Sequence, residues 1–446
     1  MGAFRALSSE PFPSVGGPPE PSSSLAEWLE WQRILHPKTI VLGLDRVASV
    51  WGRLGPARWP CPVITVGGTN GKGSCVAFIE AVFRMGGYRV CAYTSPHLLR
   101  YNERIRIDRR EVDDATLCAA FARVERARGD CLLTYFEFGT LAALDLFVRA
   151  APDLVILEVG LGGRLDAVNV IDADVAVVTT IGHDHTAWLG HDLSSIAREK
   201  AGIFRQGCPA VIGQRDAPPA LRAEAEARGC DVLQLGREFH WEAAEQAETW
   251  RWRGPRDRRL ELPTPSMRGP FQYDNAAAAL AAADSLRERL PLPIAALRQG
   301  LQRVRLAARF QVLPGRPCWI LDVAHNAEAA AALAESLARW PCAGRRHAVM
   351  AVLEDKQPEA IFAPLAPLID VWHLTQTEDP RAMPTARLLG ALAEHASDKV
   401  LLPYQAVSEA LEGAANRAGP DDTIVVLGSF TTAEAALRHL QAQGVT

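Results

Sequence analysis

The stretch "VITVGGTNGKGSC" at residues 63–75 limits the fold more than any other part of the chain: a β-branched apolar run passes into glycines, a lysine and a hydroxyl. Gly67, Gly68, Gly71 and Gly73 let backbone amides converge on an anion, and a helix starting near Lys72 aims the positive end of its dipole at the same point. That order of strand, loop and helix is a phosphate cradle. It departs from the usual phosphate-loop pattern, since Val66 stands where the first glycine belongs and Gly73 follows Lys72 directly. Lys72 can still neutralise β and γ phosphate oxygens, and Ser74, one residue later than usual, can offer its hydroxyl to Mg²⁺.

Further short apolar runs, "RVCAYTS", "DLVILEVG" and "DVAVVTTIG", read as strands buried on both faces, with helical patterns such as "FGTLAALDLFVRAA" between them. The β-α-β order predicts an α/β fold, a P-loop-type doubly wound and mostly parallel sheet. Residues 233–262 alternate polar with apolar or aromatic side chains and predict a small antiparallel insertion, its tryptophans serving packing. A second, smaller Rossmann-like α/β series starts at "PCWILDVAHN" and ends with "TIVVLGSF" and a helix. The reading is a disordered tail over 1–24, an ATP-binding domain over 25–305 and a C-terminal domain over 306–446, with the boundary near 303–310. No internal repeat is evident.

At 446 residues two domains are the default, and 48% apolar residues with a net charge of -4 leave no basic excess for nucleic acid. The longest apolar runs stop well short of the roughly 18 residues a membrane span needs. Nine cysteines without a CxxC predict free thiols in a reducing compartment. The Pro- and Ser-rich start lacks a secretory signal, and Ala6 argues against myristoylation at Gly2.

Candidate chemistry gathers at strand ends, where open α/β sheets bind ligands. Glu158 ends "DLVILE" and suits a magnesium ligand. Arg164, Asp166 and Asn169 crowd the Gly-rich sequel "GLGGRLDAVN". "TTIGHDHT" puts His183, Asp184 and His185 on the same rim, without the further His and Cys ligands a zinc site needs. Ser95 and His97 follow another strand, in "TSPHLLRYNERIRI", and the arginines there suit either an anionic substrate or solvent. Lys200, in "REKAGIF", reads from spacing alone as an ordinary helical lysine.

Taken in order, "GGTNGKGS", "TSPHLLRYNERIRI", "LTYFEFGT", "LEVGLGGRLDAVN", "HDHTAWLG", "REKAGIF", "DVAHN" and "LGSF" resemble the bacterial bifunctional dihydrofolate synthase and folylpolyglutamate synthase, a branch of the Mur ligase superfamily. In that family glycine follows the loop lysine. The resemblance implies an ATP-dependent ligase that joins L-glutamate to dihydropteroate and to tetrahydrofolate through an acyl phosphate. Alternatives are a monofunctional folylpolyglutamate synthase, another ligase of the superfamily, a nucleotide-hydrolysing switch and an inactive scaffold.

The resemblance further implies ATP contacts from Gly68, Thr69, Asn70, Gly71, Lys72, Gly73, Ser74, Asn275, Arg309, Asp322, His325 and Asn326. Ser74, Ser95, Glu158 and His185 resemble ligands of two Mg²⁺ ions, and Lys200 the lysine that carries a carbamate; Lys72, His185 and Lys200 are thereby the catalytic set. Ser95, Pro96, His97, Arg100, Phe136, Arg164 and Asp166 are implied for substrate, with Phe136 stacking on the pterin ring. A cytoplasmic monomer is implied. Two departures stand out: the usual "LPGRF" before the second domain reads "LAARF", and "LDATN" reads "LDAVN".

Overall fold

The computed structural model describes residues 17–243, 248–255, 258–393 and 399–445. The predicted tail falls largely on residues 1–16, outside the described residues. Within residues 17–24 no helix or strand forms, and the first helix, Leu25–Leu35, opens at Ser24 with a capping box to Glu27.

Residues Val63–Gly67, Val90–Tyr93, Leu154–Glu158, Val175–Val178, Pro209–Ile212 and Asp231–Gln234 pair in parallel within an eight-stranded sheet. The central apolar runs are buried throughout, because helices cover both faces of the sheet. Strand Val63–Gly67 lies between Leu154–Glu158 and Val175–Val178, so the phosphate loop emerges with a strand end on either side. Two short antiparallel strands, Ile105–Ile107 and Arg110–Glu111, form one edge, which the sequence reading did not anticipate. Their turn uses Asp108 and Arg109 at φ 56° and 62°, without the glycine that normally announces a tight hairpin.

The antiparallel insertion comprises His240–Ala243, Thr249–Arg253 and Arg259–Pro263. It begins later than residue 233, because Asp231–Gln234 belongs to the parallel sheet. Trp250 and Trp252 are buried in the core beneath it, as expected of packing residues. The second sheet has six strands: Gln311–Leu313 joins antiparallel at its edge, followed by parallel Cys318–Leu321, Thr423–Leu427, Arg346–Met350, Val371–Leu374 and Val400–Pro403. All nine cysteines are free thiols. Among the described residues no helix is long and apolar enough to cross a membrane.

A polar chain crosses the interior of this second sheet. His347 Nε2 meets Asp422 Oδ2 at 3.3 Å, His347 Nδ1 meets His373 Nε2 at 3.2 Å, and His373 Nδ1 meets the Tyr404 hydroxyl at 3.1 Å. Neutral rings satisfy every link: Tyr404 donates to His373, His373 to His347, and His347 to Asp422. A proton added to His347 Nδ1 would face the N–H of His373. Burial pushes both imidazoles below the ordinary value, His373 to about 4, with His347 and Arg417 adding to the effect. As pH falls from about 6.5, the unfolded chain takes up protons that the folded one refuses, so stability drops towards pH 4. We predict that His373→Gln narrows the difference in thermal midpoint between pH 7 and pH 5; an unchanged difference contradicts this account.

Candidate functional site

The phosphate loop is held from below. Thr69 N donates to Thr180 O at 2.7 Å, Asn70 N to Thr180 Oγ1 at 2.9 Å, and Thr179 Oγ1 to Asn70 O at 2.6 Å. Only glycine fits at position 68, where φ is 143° and a Cβ would lie 2.0 Å from Thr179 Oγ1. Helix Lys72–Met85 follows directly, so Lys72, Gly73 and Ser74 form its first turn. Lys72 Nζ folds back to the carbonyls of Gly68 and Thr69 at 2.9 and 3.0 Å. A Cβ on Gly73 would lie 3.8 Å from Glu158 Oε1 and 3.9 Å from Arg309 Nη2, so this glycine sits where a carboxylate and a guanidinium from distant segments converge.

Glu158, 4% exposed, accepts the Ser95 amide at 3.3 Å. Burial raises its pKa against the charges of Lys72 and Arg309, while burial lowers that of Lys72 against Glu158 and Asp184. Lys200 is buried with Nζ 3.0 Å from Gly68 O, and burial and the charge of Lys72 bring its pKa down to about 7. Among the described residues no three His, Cys, Asp or Glu side chains converge as a metal cage. The carboxylate of Glu158 beside the Ser95 segment and a phosphate loop nevertheless suits Mg²⁺, which takes one or two protein ligands and completes its shell with phosphate and water.

The rim segment 183–185 faces the second sheet. Lys356 Nζ donates to Asp184 Oδ1 at 2.6 Å, Asn326 Nδ2 to Asp184 Oδ2 at 3.3 Å, and His325 Nε2 lies 3.4 Å from the same oxygen. Burial acts to raise the Asp184 pKa, but the His325 hydrogen bond and the His185, Lys356 and His325 charges win and hold it far below the carboxylate range. Asn70 and Asn326 exchange amide hydrogen bonds, both at 3.1 Å, which ties the phosphate loop itself to the second sheet. His185 takes a left-handed backbone at φ 52° and retains solvent access. Partial desolvation, with Lys356, Lys72 and Lys200 nearby, lowers its pKa to about 4 despite Asp184, which favours a neutral imidazole.

Arg309 stacks over Phe430 at 5.0 Å, and His325 lies 6.3 Å from the same ring. Asp322 instead accepts the amides of Phe310 and Ala324 at 2.7 and 2.8 Å, fixing the linker that carries Arg309. In that linker Ala308 is buried with φ 52°, a conformation costing an L-residue about 1 kcal/mol or more. Alanine holds this left-handed conformation at a cost that the glycine of "LPGRF" would not bear. Val168, the other departure, is buried in the core.

On the far side, Phe136 is half-buried, 6.0 Å from Tyr93, and so close to Gly160 that a Cβ there would fall 2.7 Å from its Cζ. Pro96 follows Ser95 through a cis bond. His97 accepts from Arg104 Nε at 2.8 Å, and burial with the Arg104 charge lowers its pKa to about 4. Other expected groups are spent elsewhere. Arg164 pairs with Glu199 at 2.8 Å on the surface, Arg100 is exposed beside Asp114, and His183 offers only its backbone, to Glu328. Asp166 accepts Leu161 N and Val168 N, and Asn169 donates to the Arg164 and Gly202 carbonyls, so both hold their loop in shape.

Lys356, Gln272 and the Thr179–Thr180 pair escaped the sequence reading. Lys356 had one usable signal, its place in "LEDKQP" just beyond a strand end. We predict that Asp184→Asn, which leaves Lys356 short of a buried counter-charge, weakens the contact between the two rims by about 3 kcal/mol. Faster proteolysis within residues 304–310 is the expected result, and unchanged cleavage contradicts it.

The Mur ligase middle domain family matches residues 66–283, and the Mur ligase, glutamate ligase domain family residues 308–430. The dihydrofolate synthase/folylpolyglutamate synthase of Escherichia coli (strain K12) is 42% identical over 426 residues, covering 95% of this chain and 97% of that protein. Escherichia coli FolC in complex with DHPP and ADP superposes with a TM-score of 0.90 at 41% identity, covering 96% of this chain and all of that one (100%). A bifunctional folylpolyglutamate synthase/dihydrofolate synthase with Mn, AMPPNP and L-glutamate bound gives 0.86 at 42% identity, covering 95% and 100%. The chain therefore belongs to the Mur ligase superfamily and, within it, to the dihydrofolate synthase/folylpolyglutamate synthases.

Proposed function

We propose that the protein is an ATP-dependent amide ligase that joins L-glutamate to dihydropteroate, making dihydrofolate, and to tetrahydrofolate, lengthening its glutamyl tail. The observation that carries this reading is the convergence of Lys72, Glu158 and Ser95 with Arg309 and Asn326 of the second unit around one phosphate loop. Residues 25–305 act as the ATP-binding domain and 306–446 as the domain that closes on it.

The loop from Gly68 to Ser74 cradles the triphosphate, with Lys72 swinging from the Gly68 and Thr69 carbonyls to phosphate oxygens, and Asn275 meets the adenine side. Ser74, Ser95, Glu158 and His185 would hold Mg²⁺ at two sites, and the ion would supply charge neutralisation for the phosphoryl group in transfer. Neutral His185 has a lone pair free for that purpose. Lys200 carries a carbamate: with a pKa near 7, part of its amine is uncharged at neutral pH and can attack CO₂, losing a proton and becoming an anion. Phe136 offers a half-buried ring for the pterin.

The substrate carboxylate oxygen attacks the γ-phosphorus and ADP leaves. The uncharged amine of glutamate then attacks the acyl carbon, the C–O bond to phosphate breaks, and nitrogen sheds a proton. Arg309 and Lys72 cover the charge that builds on the moving phosphoryl, and closure at Asp184–Lys356 and Asn70–Asn326 keeps water from the acyl phosphate. The enzyme works as a cytoplasmic monomer.

The test follows product mass and glutamate-dependent ADP formation with each acceptor. Turnover of both is expected; turnover of tetrahydrofolate alone would leave a monofunctional polyglutamate synthase, and turnover of neither would overturn the reading. Lys72→Ala is expected to lower kcat at least a hundredfold with an unchanged thermal midpoint, and retained turnover would contradict its role.

A further inference from the structure

Gln272 is fully buried one turn before Asn275 on the helix Phe271–Ser285. Its Nε2 faces Ser74 Oγ at 3.4 Å, and its Oε1 accepts from Asn275 Nδ2 at 3.1 Å. Asn275 in turn lies against the phosphate loop: a Cβ on Gly71, where φ is 84°, would fall 2.4 Å from Asn275 Oδ1. The three contacts form a bracket running from loop to helix and back to the first turn of the loop's own helix.

The direction of this bracket is set by its donors. Because Asn275 donates to Oε1, the amide of Gln272 can present only its N–H groups to Ser74. A hydroxyl oxygen has two lone pairs, and one taken by Gln272 leaves the other, with the hydroxyl proton, to face the phosphate loop. A fully buried amide is tolerated where its polar atoms are partnered, and both ends of Gln272 are. An unneeded buried amide would be destabilising.

We infer that Gln272 is a positioning residue that holds the Ser74 hydroxyl oriented for the metal-bound triphosphate. This rests on the reading of Ser74 as a metal ligand. The geometry makes a specific demand: loss of Gln272 harms nucleotide binding chiefly when the metal is present.

Equilibrium binding of AMPPNP to the full chain, in Mg²⁺ and in EDTA, tests it with Gln272→Met, which conserves volume, and Gln272→Ala, which relieves any crowding. Both variants are expected to lose about tenfold in affinity in Mg²⁺ and less than twofold in EDTA. Ser74→Ala should show the same selective loss, and Ser74→Ala with Gln272→Met no more than Ser74→Ala alone. If Ser74→Ala behaves so but the Gln272 variants lose affinity equally in both media, or not at all, the inference fails and the Ser74 reading stands. If Ser74→Ala shows no metal-selective loss, that reading fails and takes the inference with it.

Discussion

Lys72, Glu158, Asp184 and Lys200 are withdrawn wholly or partly from water within one crevice, and the architecture around them exists to make that tolerable. An isolated buried charge is costly, and the chain supplies partial compensation: carbonyls for the two lysines, a backbone amide for Glu158, and Lys356, His325 and Asn326 for Asp184. Compensation is incomplete where a ligand belongs. Glu158 and Lys72 have pKa values pushed in opposite directions by burial, a displacement that a metal-bound polyphosphate would relieve. Asp184, in contrast, is fully engaged and serves the contact between the two sheets.

That contact couples the parts of the molecule. The phosphate loop is supported from its own sheet by Thr179 and Thr180 and touched from the other by Asn326, so the loop senses both. Arg309 arrives on a linker fixed by Asp322 and passing through a left-handed Ala308. An alanine held at positive φ favours other backbone angles, so the joint keeps this geometry only because the surrounding contacts hold it there.

Much of this was legible in the sequence because the deciding forces are local. Glycines next to Lys72 specify a phosphate loop, and uniformly apolar strands specify a sheet covered on both faces. What escaped depends on partners far along the chain. Arg164, expected at the substrate, is met instead by Glu199, 35 positions later. Nothing around Lys356 in "LEDKQP" announces burial, yet its side chain is nearly buried against Asp184. The edge hairpin around Asp108 was hidden because "RIRIDRRE" is strongly charged and turns without glycine. Gln272 gave no signal, since its meaning lies wholly in its contacts with Ser74 and Asn275.

The central claim is that the crevice activates a carboxylate as its acyl phosphate before glutamate attacks. Dihydropteroate labelled with ¹⁸O in both carboxylate oxygens, turned over with ATP, Mg²⁺ and L-glutamate, tests it directly. The account predicts that each phosphate released carries one ¹⁸O from the acceptor. Phosphate free of label, formed alongside the amide product, would contradict it.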